Sequence, residues 1–253
     1  MGDVLTTLKT ALSKAQGTIE DIHNLQSAVE RALESNFFEI VPDEKSQGPK
    51  KIISLVIQRK GDTALIEGEM IALGTLCKTI AAALWGALDD VVQAIASSGD
   101  EHAIFPGSAN PRKPEPLRFE REIARFPNSV RPIIRKLDPR NSRNGEPLWI
   151  IRRIADFNTN QTVVEAPFPT VRSKESLSAT KGVELIDRWD PVQKRLVFFR
   201  TTGNPEENYN LKDIPIQIVF RGPQIRHPKP VIETFEKARL MIISLFDELG
   251  RLT

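Results

Sequence analysis

Residues 63–97 read TALIEGEMIALGTLCKTIAAALWGALDDVVQAIAS, and this apolar stretch decides the fold class. Apolar side chains recur on every side of a helix drawn through it, a pattern typical of a helix buried on several sides. Gly74 and Gly86 lower the helix propensity but permit other helices to approach closely. Charged residues such as Lys78 and Asp89 leave no uncharged run of the ~18 residues that a membrane span needs. The stretch therefore predicts a long, buried central helix.

Two further long helices are predicted, one on each side of the central segment. Residues 230–249 are amphipathic, and residues 5–33 carry an apolar stripe spaced by three and four. Such a stripe needs a partner surface, and a bundle within the chain is favoured over a coiled-coil homodimer through residues 5–33. The stripe consists of Leu5, Leu8, Leu12, Ala15, Ile19, Ile22, Val29 and Leu33.

The remaining segments predict shorter helices and strands. Helices are expected at residues 117–125, at residues 128–137 and after Pro147, which suits a first helical turn. Pro42 is expected to begin a polar loop that runs to Lys50. Short β-branched segments bounded by turn residues predict strands at residues 51–58, 162–165, 182–188, 194–201 and 214–221.

Together these elements predict an α+β fold, in which a helical bundle with long N-terminal, central and C-terminal helices carries a small antiparallel β layer. A single domain over residues 1–253 is expected. Its helical core would come from residues 1–36, 63–158 and 229–252, and a β-rich insertion would occupy about 160–225.

Composition and charge narrow the class of protein. The chain has 35 Lys and Arg against 33 Asp and Glu, so the whole molecule is not an electrostatic nucleic-acid binder. Its single cysteine, Cys77, rules out an intrachain disulfide and suits a reducing compartment. The N-terminus lacks the charged and apolar regions of a signal peptide. We expect a soluble, cytoplasmic protein without a membrane partner.

Metal and cofactor chemistry have little support in the sequence. His23, His102 and His227 lie far apart, and none is followed by a second ligand type at i+3 or i+4. No glycine-rich nucleotide signature occurs between a strand and a helix. Cys77 lies in the apolar central segment and is interpreted as a small buried side chain rather than a nucleophile. No metal and no cofactor are therefore expected.

Two adjacent carboxylates stand near the end of the central helix. At most one of Asp89 and Asp90 can face the core. A buried Asp paired with an arginine from residues 118–153 would have a shifted pKa and would mark a site. A structural ion pair is the favoured interpretation.

A row of arginines marks a local basic face. Residues 111–153 hold twelve Lys and Arg against five Asp and Glu. Spacing by three and four on two short helices could present this row to phosphates, although a solvated face is favoured and nucleic acid is not the expected partner. The candidate binding residues are Arg118, Arg121, Arg125, Arg131 and Arg135.

Two segments resemble a family of uncharacterised bacterial proteins. Members of that family carry a helix of the type Leu-Arg-Ser-Ala-Leu-Asp-His, to which residues 84–90 (Leu-Trp-Gly-Ala-Leu-Asp-Asp) are similar. A later family segment contains Leu-Trp-x-Leu followed by Asn-x-Ile-Asp-Lys-His-Arg, and residues 148–151 (Leu-Trp-Ile-Ile) match its first part. The resemblance implies the same order of elements, including the β-rich insertion and the closing helix.

The ionisable residues of that pattern are largely replaced here. Ala82, Ala83 and Trp85 stand where the family has polar residues, and residues 158–161 read Asn-Thr-Asn-Gln instead of Asp-Lys-His-Arg. If the family's polar residues form a site, this chain has lost or replaced it.

The sequence thus favours a non-enzymatic bacterial protein that acts by binding a partner. One alternative is a diverged HEPN-like ribonuclease or defence-associated factor, for which fold-level analogy points to Asp89, Arg152 and Asn158 as the candidate catalytic cluster. A hydrolase whose site is formed by residues far apart in sequence is a second alternative.

Overall fold

The computed structural model describes most of the predicted elements. The described residues are 2–34, 38–47, 50–61, 63–96, 105–106, 116–137, 145–156, 168–173, 183–190, 195–201, 216–221 and 229–252.

Helices dominate these residues and confirm the predicted α+β class. The three long helices lie where the apolar periodicity predicts them, and the last two short ones begin with Pro at their first or second position, where its missing N–H has no helical partner to lose. The helices are α1 (Gly2–Glu34), α2 (Thr63–Ile95), α3 (Pro116–Ile123), α4 (Arg131–Lys136), α5 (Glu146–Ala155) and α6 (Val231–Gly250).

The strands form two small sheets among the described residues. One has the order β1-β2-β5-β4, and the other has the order β3-β6-β7. All the pairs in the first sheet are antiparallel, and Asp190 lies opposite Arg195 in one of them. The strands are β1 (Phe38–Gln47), β2 (Lys50–Arg59), β3 (Phe168–Ser173), β4 (Val183–Asp190), β5 (Arg195–Thr201), β6 (Ile216–Arg221) and β7 (Lys229–Pro230).

The polar loop expected after Pro42 is wrong, because β1 continues through Pro42 and pairs with β2 along its whole length. Pro42 lies opposite Leu55, and β1 is an edge strand, where a residue without an N–H is tolerated. Pairing with an apolar neighbour therefore overrides the local turn signals. The strand β3 was not predicted, and the strand expected at residues 162–165 lies outside the described residues.

The chain divides into two compact units. The helical unit comprises Met1–Gln26, Gly74–Phe168 and Phe220–Thr253, and the β unit comprises Ser27–Leu73 and Pro169–Val219.

The first part of α1 buries one regular seam in the helical unit. Leu8, Ala15 and Ile22 of the predicted stripe are buried, whereas Leu5 and Ile19 are 41% and 40% exposed. The seam repeats by three and four, as helix packing requires, and small residues let neighbouring helices approach. Its members are Leu8, Ala11, Ala15, Thr18, Ile22 and Leu25.

The second half of α2 is buried on several sides within this unit. Ile80, Ala81, Leu84, Ala87, Leu88 and Val91 are all inaccessible to solvent. By length and composition the segment Gly68–Ile95 also passes the test for a membrane-crossing helix, a test that core helices pass as well. The predicted central core helix accounts for both properties.

Candidate functional site

Two side chains on one face of α2 begin the polar cluster of the helical unit. Trp85 and Asp89 are four residues apart and therefore lie one above the other on the helix. The Trp85 indole N–H donates a hydrogen bond to the Asp89 carboxylate. Asp89 is half-buried, whereas the adjacent Asp90 is exposed and its Oδ2 lies 3.4 Å from the Lys14 Nζ.

Phe105 is held at both ends of its backbone by this cluster. Its N–H donates to the Asp89 Oδ1 over 3.3 Å. Its carbonyl oxygen accepts from the Arg152 Nη1 of α5 over 3.4 Å. We call Trp85, Asp89, Phe105 and Arg152 the Phe105 clasp. It joins α2 to α5 through a residue that lies between them in sequence.

The aromatic contacts of the Phe105 clasp close around the same residue. The Phe105 ring is only 1% exposed and meets the Trp85 ring edge-on, with the ring centroids 5.8 Å apart. The Arg152 guanidinium lies over the Trp85 ring, 5.0 Å from its centroid, and its Nε donates to Asp156 Oδ2 over 3.3 Å. A guanidinium on an indole face is favourable when partly desolvated, so Arg152 is engaged on three sides.

Burial controls the electrostatics of this cluster. Desolvation raises the pKa of the Asp89 carboxyl above its ordinary value of 3.8, against the opposing effects of the Phe105 N–H, the Arg152 charge and the Trp85 indole. The nearby Asp156 charge raises the same pKa further. Removal from water thus outweighs the neighbouring cation.

Of the three candidate catalytic residues, Asp89 and Arg152 come together around Phe105. Asn158 lies outside the described residues. The expected pairing of an Asp with an arginine from residues 118–153 has a counterpart in Asp89 and Arg152, but both groups are engaged in holding the fold. A catalytic role for them stays a prediction.

The candidate binding arginines make contacts within the chain. Arg131 donates from its Nε to the Phe126 carbonyl and from its Nη2 to the Ala124 carbonyl, each over 2.8 Å. Arg135 donates to Glu120 over 2.7 Å, which raises the pKa of the guanidinium. The Arg135–Glu120 pair joins α4 to α3, and Arg131 holds α4 to the turn between them.

The other three arginines of the row are Arg118, Arg121 and Arg125. Arg121 and Arg125 are exposed and also take part in interactions. The side chain of Arg118 lies outside the described residues. Phosphate binding by the row stays a prediction.

A groove of about 490 Å³ lies between α4, α5 and α6 in the helical unit. On one side Ile133, Lys136 and Leu137 line it, together with Pro147 from the start of α5. On the other side six residues of α6 line it: Lys237, Leu240, Met241, Ser244, Leu245 and Glu248. We call this surface the α6 groove.

The floor of the α6 groove is apolar and its ends are charged. Leu245 is buried in the floor, whereas Leu240 is 56% exposed on the rim. At one end the Lys136 Nζ pairs with the Glu248 Oε2 across the groove over 2.6 Å, and at the other end Lys237 pairs with Glu233. An exposed apolar side chain beside an apolar cleft with charged ends is typical of an interaction surface.

Metal-binding and thiol chemistry have no assembled group in the part of the chain that the structure describes. Within it, no three His, Cys, Asp or Glu residues lie close enough to hold a metal ion. Cys77 is buried, and desolvation raises the pKa of its thiol to about 12. A thiol with that pKa is unreactive near neutral pH.

Comparison with protein-family models, with curated proteins and with solved structures finds no match to this chain. The resemblance to the uncharacterised bacterial family is therefore neither supported nor contradicted, and it stays a prediction. Leu84, Leu148 and Trp149, which carry it, are buried core residues in the structure.

The sequence interpretation missed the α6 groove. The sequence predicts residues 230–249 as one amphipathic helix, with Phe235, Ile242, Leu245 and Leu249 on its apolar stripe. A second row, at 237, 240, 241, 244, 245 and 248, also repeats by three and four and contains Leu240 and Met241 beside that stripe. This widened apolar sector was the available signal, but its meaning depended on which helix lies alongside.

Proposed function

We propose that this protein acts by binding a protein partner, and that the α6 groove receives an apolar helical face of that partner. The observation that carries the proposal is the exposure of Leu240 on the rim of an apolar groove. Leaving a large apolar side chain in water costs free energy that a partner recovers by covering it. Leu240 would be shielded from water only in the complex, so its exposure favours binding of a partner.

The dimensions of the α6 groove suit a short helix. Its α6 side extends from Lys237 to Glu248, which is three helical turns or about 16 Å. A volume of about 490 Å³ accommodates a few apolar side chains of the kind that anchor helices in grooves. Apolar anchors spaced i, i+3 or i+4, and i+7 on the partner would fit this length.

The Phe105 clasp supports the same proposal from another side. Its hydrogen bonds, ring contacts and partial burial describe a cluster that stabilises the helical unit. A rigid unit lowers the entropic cost of binding because its surface is already formed. We therefore assign the polar residues to stability and the apolar groove to recognition.

A peptide selection tests the proposal. Random peptides of about eleven residues, enough for three turns, would be selected on the wild-type protein alone. We expect enriched peptides with apolar residues at helical spacing, whose dissociation constant by fluorescence anisotropy rises at least tenfold in Leu240→Glu. Glu236→Lys is the matched control, because Glu236 is an exposed residue of α6 that does not line the groove. Equal binding to both variants would contradict the proposal.

A second candidate function is the ribonuclease alternative, favoured by one observation. Asp89 has a raised pKa beside Arg152, as a general acid paired with a phosphate-binding cation would have. Asp89→Asn keeps an acceptor for the Phe105 N–H and removes the titrating group. Purified protein that degrades a labelled RNA, with activity lost in Asp89→Asn, would establish this alternative in place of the first proposal.

A further inference from the structure

We infer that the occupant of the α6 groove is α6 of a second copy of this chain, packed antiparallel about a two-fold axis. This inference rests on the proposed function and names its partner. Each copy would place its α6 in the groove of the other, so that one interaction surface is used twice. Identical surfaces that pair in this way form the commonest type of homodimer interface.

The lining residues of α6 have the symmetry that such a pairing requires. Their positions are separated by three, one, three, one and three residues, so the series is the same from either end. An antiparallel copy centred between Ile242 and Ile243 therefore places every lining position opposite another lining position. It sets Leu240 opposite Leu245, and Met241 opposite Ser244.

The paired side chains are complementary in size and exposure. Leu240 is 56% exposed and protrudes, whereas Leu245 is 3% exposed and lies in the floor. The tip of one copy's Leu240 would thus enter the recess above the other copy's Leu245. The long Met241 side chain would meet the small, exposed Ser244. Large against small on each side of the axis is the arrangement that fills space without overlap.

The charged ends of the α6 groove are also complementary in this register. The antiparallel arrangement sets Lys237 of each copy opposite Glu248 of the other. Glu248 already pairs with Lys136, and Lys237 already pairs with Glu233. Each end would therefore hold four alternating charges, in which every cation lies next to an anion. A parallel pairing would set Lys237 against Lys237 and Glu248 against Glu248, so charge selects the antiparallel orientation.

The expected dimer is weak. Three helical turns bury less surface than the standard interface of about 1,600 Å², and we expect a dissociation constant on the order of micromolar. Sedimentation equilibrium of the full chain over about 1–200 µM brackets that value. We expect a mass that rises with concentration from the 28.4 kDa of one chain towards twice that mass.

Three variants test the interface and its register. Leu240→Glu should weaken the dimer at least tenfold, and its far-UV circular dichroism should be unchanged because Leu240 is largely exposed. Lys237→Glu alone sets Glu against Glu248 twice, and Glu248→Lys alone sets Lys237 against Lys twice, so each alone should also be at least tenfold weaker. An equimolar mixture of those two should recover dimers, because each contact in the mixed pair joins Lys to Glu.

The outcomes separate this inference from the function on which it rests. A chain that stays monomeric throughout the range while Leu240-dependent peptides bind would overturn the inference and leave the proposed function standing. A dimer unaffected by Leu240→Glu would place the interface elsewhere and overturn it too. Loss of dimer in the single charge variants without recovery in the mixture would overturn the antiparallel register.

Discussion

The Phe105 clasp and the α6 groove lie in the same helical unit and use their residues in opposite ways. In the clasp, charged and aromatic side chains surround a residue that is 1% exposed. In the groove, Leu240 is 56% exposed although apolar. The polar residues are engaged within the fold, and apolar surface is left open. Ionisable residues of the types found in catalytic sites can thus serve to stabilise the fold. Recognition can depend instead on exposed leucine and methionine side chains.

The largest stability effect should come from the centre of the Phe105 clasp. Phe105→Ala removes a fully buried ring and leaves a cavity beside Trp85, which costs about 3–5 kcal/mol. Leu240→Ala in the groove should change the free energy of unfolding by less than about 0.5 kcal/mol. Urea denaturation followed by circular dichroism measures both. Similar costs for the two variants would remove the contrast between the regions.

A smaller effect on the free energy of unfolding is expected from the Asp89 carboxylate of the Phe105 clasp. Asp89→Ala removes the acceptor of the Phe105 N–H and should lower the free energy of unfolding by about 1–3 kcal/mol. The adjacent Asp90→Ala is the matched control, since Asp90 makes an exposed ion pair with Lys14 and its loss should cost less than about 1 kcal/mol. If the two changes proved equal in urea denaturation, Asp89 would have no special role in holding Phe105.

The pH dependence of stability tests how burial of Asp89 contributes to the stability of the fold. Burial raises the pKa of Asp89 in the folded state, so the folded chain binds this proton more tightly than the unfolded chain. The resulting stabilisation is present in full below the ordinary pKa of 3.8 and is lost as the pH rises through the higher folded pKa. The stability of the wild type relative to Asp89→Asn should therefore fall with increasing pH in that range. Urea denaturation in a pH series measures it, and an increase would mean that the Arg152 charge outweighs burial.

Only a small effect on stability is expected at the charged end of the α6 groove. Lys136→Ala breaks an exposed ion pair with Glu248, and such pairs contribute about 0–1 kcal/mol. The same variant should weaken peptide binding in the groove by a fewfold at low salt and by less at high salt, because screening reduces the contribution of exposed charges. A large loss of thermal stability would instead place Lys136 in the fold's core interactions.

The sequence predicts much of this fold and little of the candidate site, for physical reasons. The long apolar run of residues 63–97 is a local signal, so the sequence predicts α2 to within a few residues of its ends. The extension of β1 beyond Pro42 depends on its partner strand, which local turn signals do not encode. Asp89 and Arg152 were candidates by residue type, but their junction at Phe105 exists only after the chain has folded. The α6 groove likewise exists only after α4 has packed beside α6. The sequence alone therefore does not show that Leu240 and Met241 line a groove.

One binding titration separates a stabilising role of the Phe105 clasp from a recognition role of the α6 groove. The selected helical peptide would be titrated by fluorescence anisotropy into the wild type, Asp89→Asn and Leu240→Glu under identical conditions. We expect an unchanged dissociation constant for Asp89→Asn and an increase of at least tenfold for Leu240→Glu. Loss of binding in Asp89→Asn with retained binding in Leu240→Glu would contradict it.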